Sequence, residues 1–157
     1  MEILQALHDA GFATALRRAG TVYPFVNAAH ILSFGLIVGA IGTLDLRVLG
    51  LFRNVALGQL APPLSRVAAS GVALTIVTGF LLFSVQPLSY AQNGAFLAKV
   101  SLAVLGIANA LVLNARPAWK NAVAGGAVGA SLKVQAAASL LIWIMAVIAG
   151  RWIAFVE

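Results

Sequence analysis

Residues 23–49 read YPFVNAAHILSFGLIVGAIGTLDLRVL, and this stretch decides the fold because it is long, apolar and without Asp, Glu, Lys or Arg before Asp45. A helix needs about 20 apolar residues to cross about 30 Å of hydrocarbon. Stretches of the same kind follow at residues 62–83, 94–113 and 132–155. Because lipid offers the backbone no hydrogen-bond partners, each stretch is predicted to be a helix. The sequence therefore predicts an all-α integral membrane protein, a four-helix bundle.

The composition excludes several other classes of protein. Hydrophobic residues make up 62% of the chain and charged residues 9%, whereas soluble domains carry about 25% charged residues. Four spans leave little of the 157 residues for anything else, so residues 1–157 are predicted to form a single transmembrane domain. The absence of cysteine excludes disulfides, thiolate metal sites and thiol catalysis. The basic residues behind the net charge of +6 stand near predicted helix ends, where they meet lipid headgroups, so no nucleic-acid partner is expected.

The leader, residues 1–20, mixes apolar and charged side chains and lacks the pattern of a cleavable signal peptide. Leu4 and Leu7 begin a helical apolar stripe, although Gly11 stands where the next apolar residue is expected. The leader is predicted to be an amphipathic helix that lies in the membrane interface and ends at Gly20.

An even number of spans places both termini on one side of the membrane, which we call side A, together with the loop at residues 84–93. The loops at residues 45–61 and 114–131 lie on the opposite side, side B. Side B carries six basic residues near helix ends and side A four. Those on side B are Arg47, Arg53, Arg66, Arg116, Lys120 and Lys133; those on side A are Arg17, Arg18, Lys99 and Arg151. This bias predicts a bacterial cytoplasmic (inner) membrane protein with side B in the cytoplasm and both termini in the periplasm.

Small residues at four-residue spacing indicate where helices approach one another. The first span contains Gly35 and Gly39, and the second contains Gly71, Thr75 and Gly79. Membrane helices associate through such stripes, so Gly39→Leu and Gly79→Leu are both expected to destabilise the bundle. Homodimerisation through one of the stripes is the alternative interpretation.

A polar cluster is predicted at the side A end of the bundle. His30 is the only histidine within a span, and Lys99 enters the third span at a similar depth. Polar residues within a bilayer usually face the bundle interior and serve a function. The predicted ligand-binding residues are His30, Asn27, Lys99, Tyr90, Asn93 and Arg151. The ligand would be an anion, a quinone-like molecule or a lipid headgroup; in the competing interpretation the basic side chains only reach up to headgroups.

Further polar residues lie toward side B, namely Asp45, Arg47, Asn54, Asn109 and Asn114. Asp45 and Arg47 are two residues apart and therefore cannot pair within one helix. Asn109 lies deeper and is expected to hydrogen-bond to another helix.

Two further functions stay open from the sequence. His30 is a candidate axial ligand for haem b, which would make the protein a membrane redox subunit, although no second buried histidine is present. Alternatively, the chain is a structural subunit that forms a homo-oligomer or joins another membrane protein. No metal site and no catalytic residues are predicted, and His30 has no buried carboxylate near it for hydrolase chemistry, so a non-enzymatic role is favoured.

Several short motifs carry a resemblance to a known family. They are Tyr23-Pro24 followed by His30, LDLRVLG at residues 44–50, TGFLLFS at residues 78–84, Tyr90, Asn93, AFLAK at residues 95–99 and Asn109-Ala110. In these residues the chain resembles a family of uncharacterised bacterial four-helix membrane proteins, and more distantly the membrane domain of copper-resistance D proteins. The resemblance implies an architecture and no reaction. Relatives often have a histidine where this chain has Asn114, and this departure weakens a bis-histidine haem or metal site.

Overall fold

The computed structural model describes residues 2–18 and 20–155, so Met1 and Ala19 of the predicted leader lie outside the described residues. The described residues form helices and no strand. The helices are α1 (Glu2–Asp9), α2 (Gly11–Arg18), α3 (Val22–Leu49), α4 (Leu57–Val85), α5 (Pro87–Gln92), α6 (Gly94–Ala115), α7 (Pro117–Val123) and α8 (Ala130–Trp152), followed by a 3-10 turn, Ile153–Phe155. The predicted all-α class is confirmed.

Four of these helices, α3, α4, α6 and α8, are long and apolar enough to cross a membrane. Large apolar side chains such as Leu32, Ile76, Leu111 and Leu141 are exposed on their outer faces. In water such a surface would be strongly unfavourable, whereas hydrocarbon solvates it. The protein is therefore a multi-pass membrane protein, and its outer apolar surface faces the lipid bilayer.

The second span begins at Leu57 and not at residue 62, where the first proline stands. Pro62 and Pro63 lie inside α4 and cannot donate backbone hydrogen bonds. The helix nevertheless extends beyond them because its first turns are buried in an apolar cluster at side B, in which Leu57 and Ala61 pack with Trp119 of α7.

The four long helices are arranged in the order α4, α3, α8, α6. Helix α3 packs against both α4 and α8, and α8 also packs against α6. In the described chain the backbones of the outer helices α4 and α6 do not pack closely, although Phe83 of α4 stacks on Phe96 of α6 at the side A end. The bundle is thus closed on three sides, and a gap separates α4 from α6 on the fourth.

The predicted single leader helix is divided into α1 and α2 by a bend at Ala10. Gly11, which interrupts the apolar stripe, starts the second helix, and glycine is a poor residue for a helix interior. Ala13 and Leu16 are buried, and Arg17 donates to the backbone oxygen of Val85 at 3.3 Å. The leader therefore packs on the side A end of α4.

The expectation for Gly39 is wrong, because its Cβ position has no atom within 4 Å and so faces away from the bundle. Gly35 is equally open. The close approach between helices occurs on the α4 side, where a Cβ at Gly71 would lie 2.9 Å from the Ser33 backbone oxygen of α3. The stripe of α4 therefore packs α3 against α4, and the Gly35–Gly39 stripe of α3 does not.

Candidate functional site

The His30 cluster, which we define as His30, Lys99 and Thr78, lies where three of the long helices meet near side A. Nδ1 of His30 is 2.9 Å from Oγ1 of Thr78 in α4. Thr78 donates its hydroxyl hydrogen to the backbone oxygen of Leu74 at 2.7 Å. The hydroxyl is therefore an acceptor toward His30, which assigns the hydrogen of the neutral imidazole to Nδ1 and leaves Nε2 with a lone pair.

Lys99 reaches that lone pair from α6. Its Nζ lies 3.4 Å from Nε2 of His30 and 5.1 Å from the ring centroid of Phe34, so a hydrogen bond and a cation–π contact act on one ammonium group. The aliphatic stem of Lys99 crosses α8 at Gly150, where a Cβ would lie 3.2 Å from Cδ of the lysine. Glycine at this position gives the lysine its path into the bundle.

A row of hydrogen-bonded hydroxyl groups from α3 and α4 lies next to His30. Thr75 of α4 donates to Ser33 of α3 at 3.0 Å, and Ser33 donates to the backbone oxygen of His30 at 2.9 Å. Ser33 and Thr78 are buried. Thr75 and Ser33 join α4 to the backbone of α3, and Thr78 is the hydroxyl residue that contacts the imidazole itself.

An aromatic cluster covers the side A end of the bundle. Phe83 of α4, Tyr90 of α5 and Phe96 of α6 have ring centroids 5.2–6.4 Å apart. Burial, together with a hydrogen bond to Tyr23, raises the pKa of Tyr90 to about 12, so its phenol is protonated at neutral pH. The cluster joins α4, α5 and α6 at the same end of the bundle as the half-buried His30.

The other predicted site residues lie away from the His30 cluster. Asn93 caps α6 by accepting from the backbone N–H of Phe96 at 3.0 Å. Asn27 is exposed, and Arg151 is exposed with its guanidinium 4.9 Å from the ring centroid of Phe155. The structure brings together His30 and Lys99, with Tyr90 in the aromatic layer at the same end. Ligand binding by any of the six stays a prediction.

Ser33, Thr75 and Thr78 were not singled out from the sequence as site residues. Hydroxyl residues are common in membrane helices, where they often bond to their own backbone, so their type alone is a weak signal. Thr75 lies four residues from both Gly71 and Gly79 and is therefore on the packing stripe of α4. This spacing is the sequence signal that Thr75 faces another helix.

Haem ligation by His30 stays a prediction: the bond from Nδ1 to Thr78 is compatible with an axial ligand, and it is the Lys99 ammonium at Nε2 that competes with iron. Both ring nitrogens of His30 are engaged, with Nδ1 on Thr78 and Nε2 facing the Lys99 ammonium. An iron atom bound at Nε2 would have to displace the Lys99 ammonium from His30, and His30 is the only histidine within the spans. Within the described residues, no group of three or more His, Cys, Asp or Glu side chains is placed to hold a metal ion.

A second polar region lies toward side B. Gln135 of α8 donates to both oxygens of Asn109, its backbone oxygen and Oδ1, at 3.2 Å, and accepts from Arg116 at 2.7 Å. Asn109 therefore hydrogen-bonds to another helix, as its depth suggested. Gln135 was missed at the sequence level, although it is the only Asn or Gln between residues 132 and 155.

Asp45 and Asn114 also belong to this region, whereas Arg47 makes its hydrogen bond elsewhere. Arg47 donates to the backbone oxygen of Val55 at 2.7 Å in the side B loop, and Asn54 of that loop is exposed. Asn114 donates to the backbone oxygen of Ala110 at 2.9 Å. The buried carboxyl of Asp45 faces the Ser139 hydroxyl of α8. Asp45 and Arg47 are not paired with each other.

Fold and polar residues together define a multi-pass α-helical membrane protein with a histidine–lysine contact inside one end of its bundle. A scan against protein-family models, a search of curated proteins and a search of solved structures returned no match for the chain.

Proposed function

We propose that this protein binds an anionic group at the side A end of its bundle, beside His30 and Lys99, and acts as a binding or accessory protein. The observation that carries the proposal is the environment of the Lys99 ammonium. Its contacts are the neutral imidazole of His30 and the ring of Phe34, and in the described chain no carboxylate is paired with it.

A lysine inside a bilayer is costly, at about 2.5–3.5 kcal/mol for a position near the centre of a helix on insertion scales. Near the end of a span the side chain usually reaches the headgroups and avoids this cost. Lys99 instead extends across Gly150 toward α3, where its ammonium meets His30 and the ring of Phe34. A bound anion would compensate the charge that the protein leaves unpaired.

The chemistry favours a carboxylate or a phosphate over a quinone. A quinone oxygen can accept an N–H from Lys99 but brings no charge, whereas charge-assisted hydrogen bonds are roughly twice as strong as neutral ones. Only one N–H of the ammonium is needed for Nε2 of His30, so others are available to a ligand oxygen. Such an anion can belong to a lipid headgroup or to a free molecule.

The orientation with periplasmic termini, which follows from the Lys and Arg bias, would open this end of the bundle to the periplasm. Residence in the bacterial inner membrane and kinship with the uncharacterised four-helix family remain parts of the proposal.

The test uses purified protein in nanodiscs that contain phosphatidylglycerol and phosphatidylcholine in equal amounts. Native mass spectrometry measures how much phosphatidylglycerol stays bound after release from the disc. We expect retention by the wild type and a loss of about tenfold in Lys99→Gln, since a hydrogen bond to a charged group contributes about 1.5–3 kcal/mol. Lys133→Gln, which removes an exposed lysine at side B, is the matched control and should retain the lipid.

A second arm separates the two sources of the anion. In discs of phosphatidylcholine alone, benzoate is titrated against the protein and followed by tryptophan fluorescence. Benzoate binding that depends on Lys99, without retention of phosphatidylglycerol, assigns a free carboxylate. Equal lipid retention in all variants, together with no benzoate binding, would show that Lys99 is not an anion site.

A further inference from the structure

A cavity of about 280 Å³ lies in the side B half of the bundle, and we call it the side B cavity. Residues of all four long helices line it, and most of them are apolar. The lining residues that are exposed, namely Ala69, Leu111 and Asn114, belong to α4 and α6. The cavity therefore opens between these two helices toward the surrounding bilayer. It includes no residue of the His30 cluster.

Asn109 of α6 lines the side B cavity, and its hydrogen bonds fix the orientation of its side-chain amide. Arg116 can only donate, so the atom of Gln135 that it meets at 2.7 Å is the oxygen, Oε1. The amide nitrogen of Gln135 therefore points the other way and donates to Oδ1 of Asn109 at 3.2 Å. Asn109 thus turns its amide oxygen toward α8, and its Nδ2 keeps two N–H groups to donate.

The N–H groups of Asn109 find no acceptor in the described chain, and they belong to a side chain that a ligand can reach. Oδ2 of Asp45 and Nε1 of Trp143 also lack partners, but both atoms are closed off inside the protein. Asn109 is instead half-buried and lines an open cavity. An amide without a partner in apolar surroundings is costly, so this position calls for a ligand that brings an acceptor.

The charges of the lining decide which kind of acceptor fits. The lining contains the carboxyl of Asp45 and no Lys, Arg or His side chain. That carboxyl faces the hydroxyl of Ser139, so the protein itself supplies its partner. An anionic ligand would find no counter-charge in this cavity, and an ammonium has no lone pair with which to accept from Asn109. The acceptor that fits is therefore uncharged.

We propose that the side B cavity binds an uncharged lipophilic molecule through a carbonyl oxygen, which accepts from Nδ2 of Asn109. A carbonyl oxygen only accepts, so it satisfies the amide without bringing a donor that would itself need a partner. The apolar lining receives the hydrocarbon part of the molecule, and the opening between α4 and α6 admits it from the bilayer. Two sources offer such a group, the ester carbonyl of a lipid and the ring carbonyl of a quinone.

The test compares 4-fluoroacetophenone with 1-fluoro-4-isopropylbenzene by ¹⁹F NMR on protein in phosphatidylcholine nanodiscs. The two probes have nearly the same shape, but the second has no acceptor oxygen. Each affinity is referred to the concentration of the probe in the lipid, which empty discs measure. We expect saturable binding of the ketone, about fivefold tighter than that of the hydrocarbon, as for one neutral hydrogen bond. In Asn109→Leu this ratio should fall to about one, while Asn54→Leu in the exposed side B loop should keep it.

Asn109→Leu leaves Gln135 with an acceptor, because Gln135 also donates to the backbone oxygen of residue 109 at 3.2 Å. If this variant does not fold, the wild type alone decides. The infrared stretch of a ¹³C-labelled carbonyl in the bound ketone should then lie below that of the ketone in empty discs, because a hydrogen bond weakens the C=O bond. Equal binding of the two probes by the wild type, a preference that survives Asn109→Leu, or an unshifted stretch would overturn the proposal.

Discs of ether-linked phosphatidylcholine, which has no ester carbonyl, identify the source of the carbonyl group. Tighter binding of the ketone in these discs than in ester-linked discs assigns the site to lipid esters, because a competitor has been removed. Equal binding in the two kinds of disc assigns it to a free carbonyl compound such as a quinone.

The outcome is separable from that of the anion site. Lys99 does not line the side B cavity, so Lys99→Gln should keep the full preference for the ketone. A preference lost in Lys99→Gln and kept in Asn109→Leu would place the ketone at side A and refute the assignment. Binding of 4-fluorobenzoate to Lys99→Gln that disappears when Asn109→Leu is added would show that the cavity takes an anion and not an uncharged molecule.

Discussion

Gly71→Ala tests the packing of α3 against α4 with a single methyl group. The added Cβ would lie 2.9 Å from both Cγ1 of Ile37 and the backbone oxygen of Ser33, and 3.2 Å from the backbone nitrogen of Ile37. Carbon atoms prefer separations of about 3.5–4.0 Å, so the first contact is short by roughly 0.6 Å. Because two of the three atoms belong to the α3 backbone, the helix itself must move.

The expected free-energy change combines two effects. Overpacking costs about 1–3 kcal/mol, and the better helix propensity of alanine returns up to about 1 kcal/mol. Gly71→Ala should therefore lower the free energy of unfolding by about 1–2 kcal/mol. Gly39→Ala, with no atom within 4 Å of its Cβ, should leave stability unchanged or raise it slightly.

The assay is reversible unfolding by SDS in mixed micelles, followed by circular dichroism. Gly79→Ala offers an intermediate case, since its Cβ would lie 3.1 Å from Cε1 of His30, a side-chain atom that can shift. The expected order of stability is Gly39→Ala highest, then Gly79→Ala, then Gly71→Ala. Equal stability of the Gly71 and Gly39 variants, or a larger loss at Gly39, would refute the packing of α3 on α4 described above.

Three further outcomes are expected. Gln135→Leu should lower stability by about 1 kcal/mol because it removes the hydrogen bonds to Asn109, while Val134→Leu on the exposed face should have no effect in the same SDS titration. A C-terminal reporter that is active only in the cytoplasm should stay silent. Strong reporter activity would show that the termini lie in the cytoplasm, opposite to the predicted orientation. Protein purified after haem supplementation should show no Soret band, because the Lys99 ammonium occupies Nε2 of His30; a Soret band lost in His30→Ala would contradict the contact with Lys99.

The spans are readable from the sequence because hydrocarbon length and backbone satisfaction depend on composition alone. The start of α4 is not, since the turns before Pro62 are stabilised by contacts with Trp119 of α7, which lies far away in the chain. Helix propensity places prolines in the first turn of a helix. In α4, tertiary burial stabilises additional turns before Pro62.

The glycine stripes show a second limit. Gly35–Gly39 and Gly71–Gly79 have the same spacing, yet one faces outward and the other packs against α3. Spacing identifies a flat face on a helix but not the neighbour of that face.

The depth of His30 and Lys99 could be read from their positions within the spans, and this suggested a common level. The cavity lined by the four long helices could not be predicted from the sequence, because it depends on which helices pack closely and which do not. Asp45 was visible as the acidic residue of a span, while its partner Ser139 and the unsatisfied Oδ2 became visible only with the positions of the other helices.

The helix order has a consequence for how the chain is assembled. The first two spans pack together as a hairpin, and the last two pack as another, and the most extensive packing between the two hairpins is that of α3 on α8. During synthesis α8 emerges last. Until then the Asp45 carboxyl lacks its neighbour Ser139, and the Lys99 side chain lacks the surface at Gly150 on which it packs. Bringing such groups into lipid early is costly. The last span to be made, α8, therefore completes the bundle, and a chain that stalls before it would leave the α3–α4 hairpin and an α6 helix without its main partner.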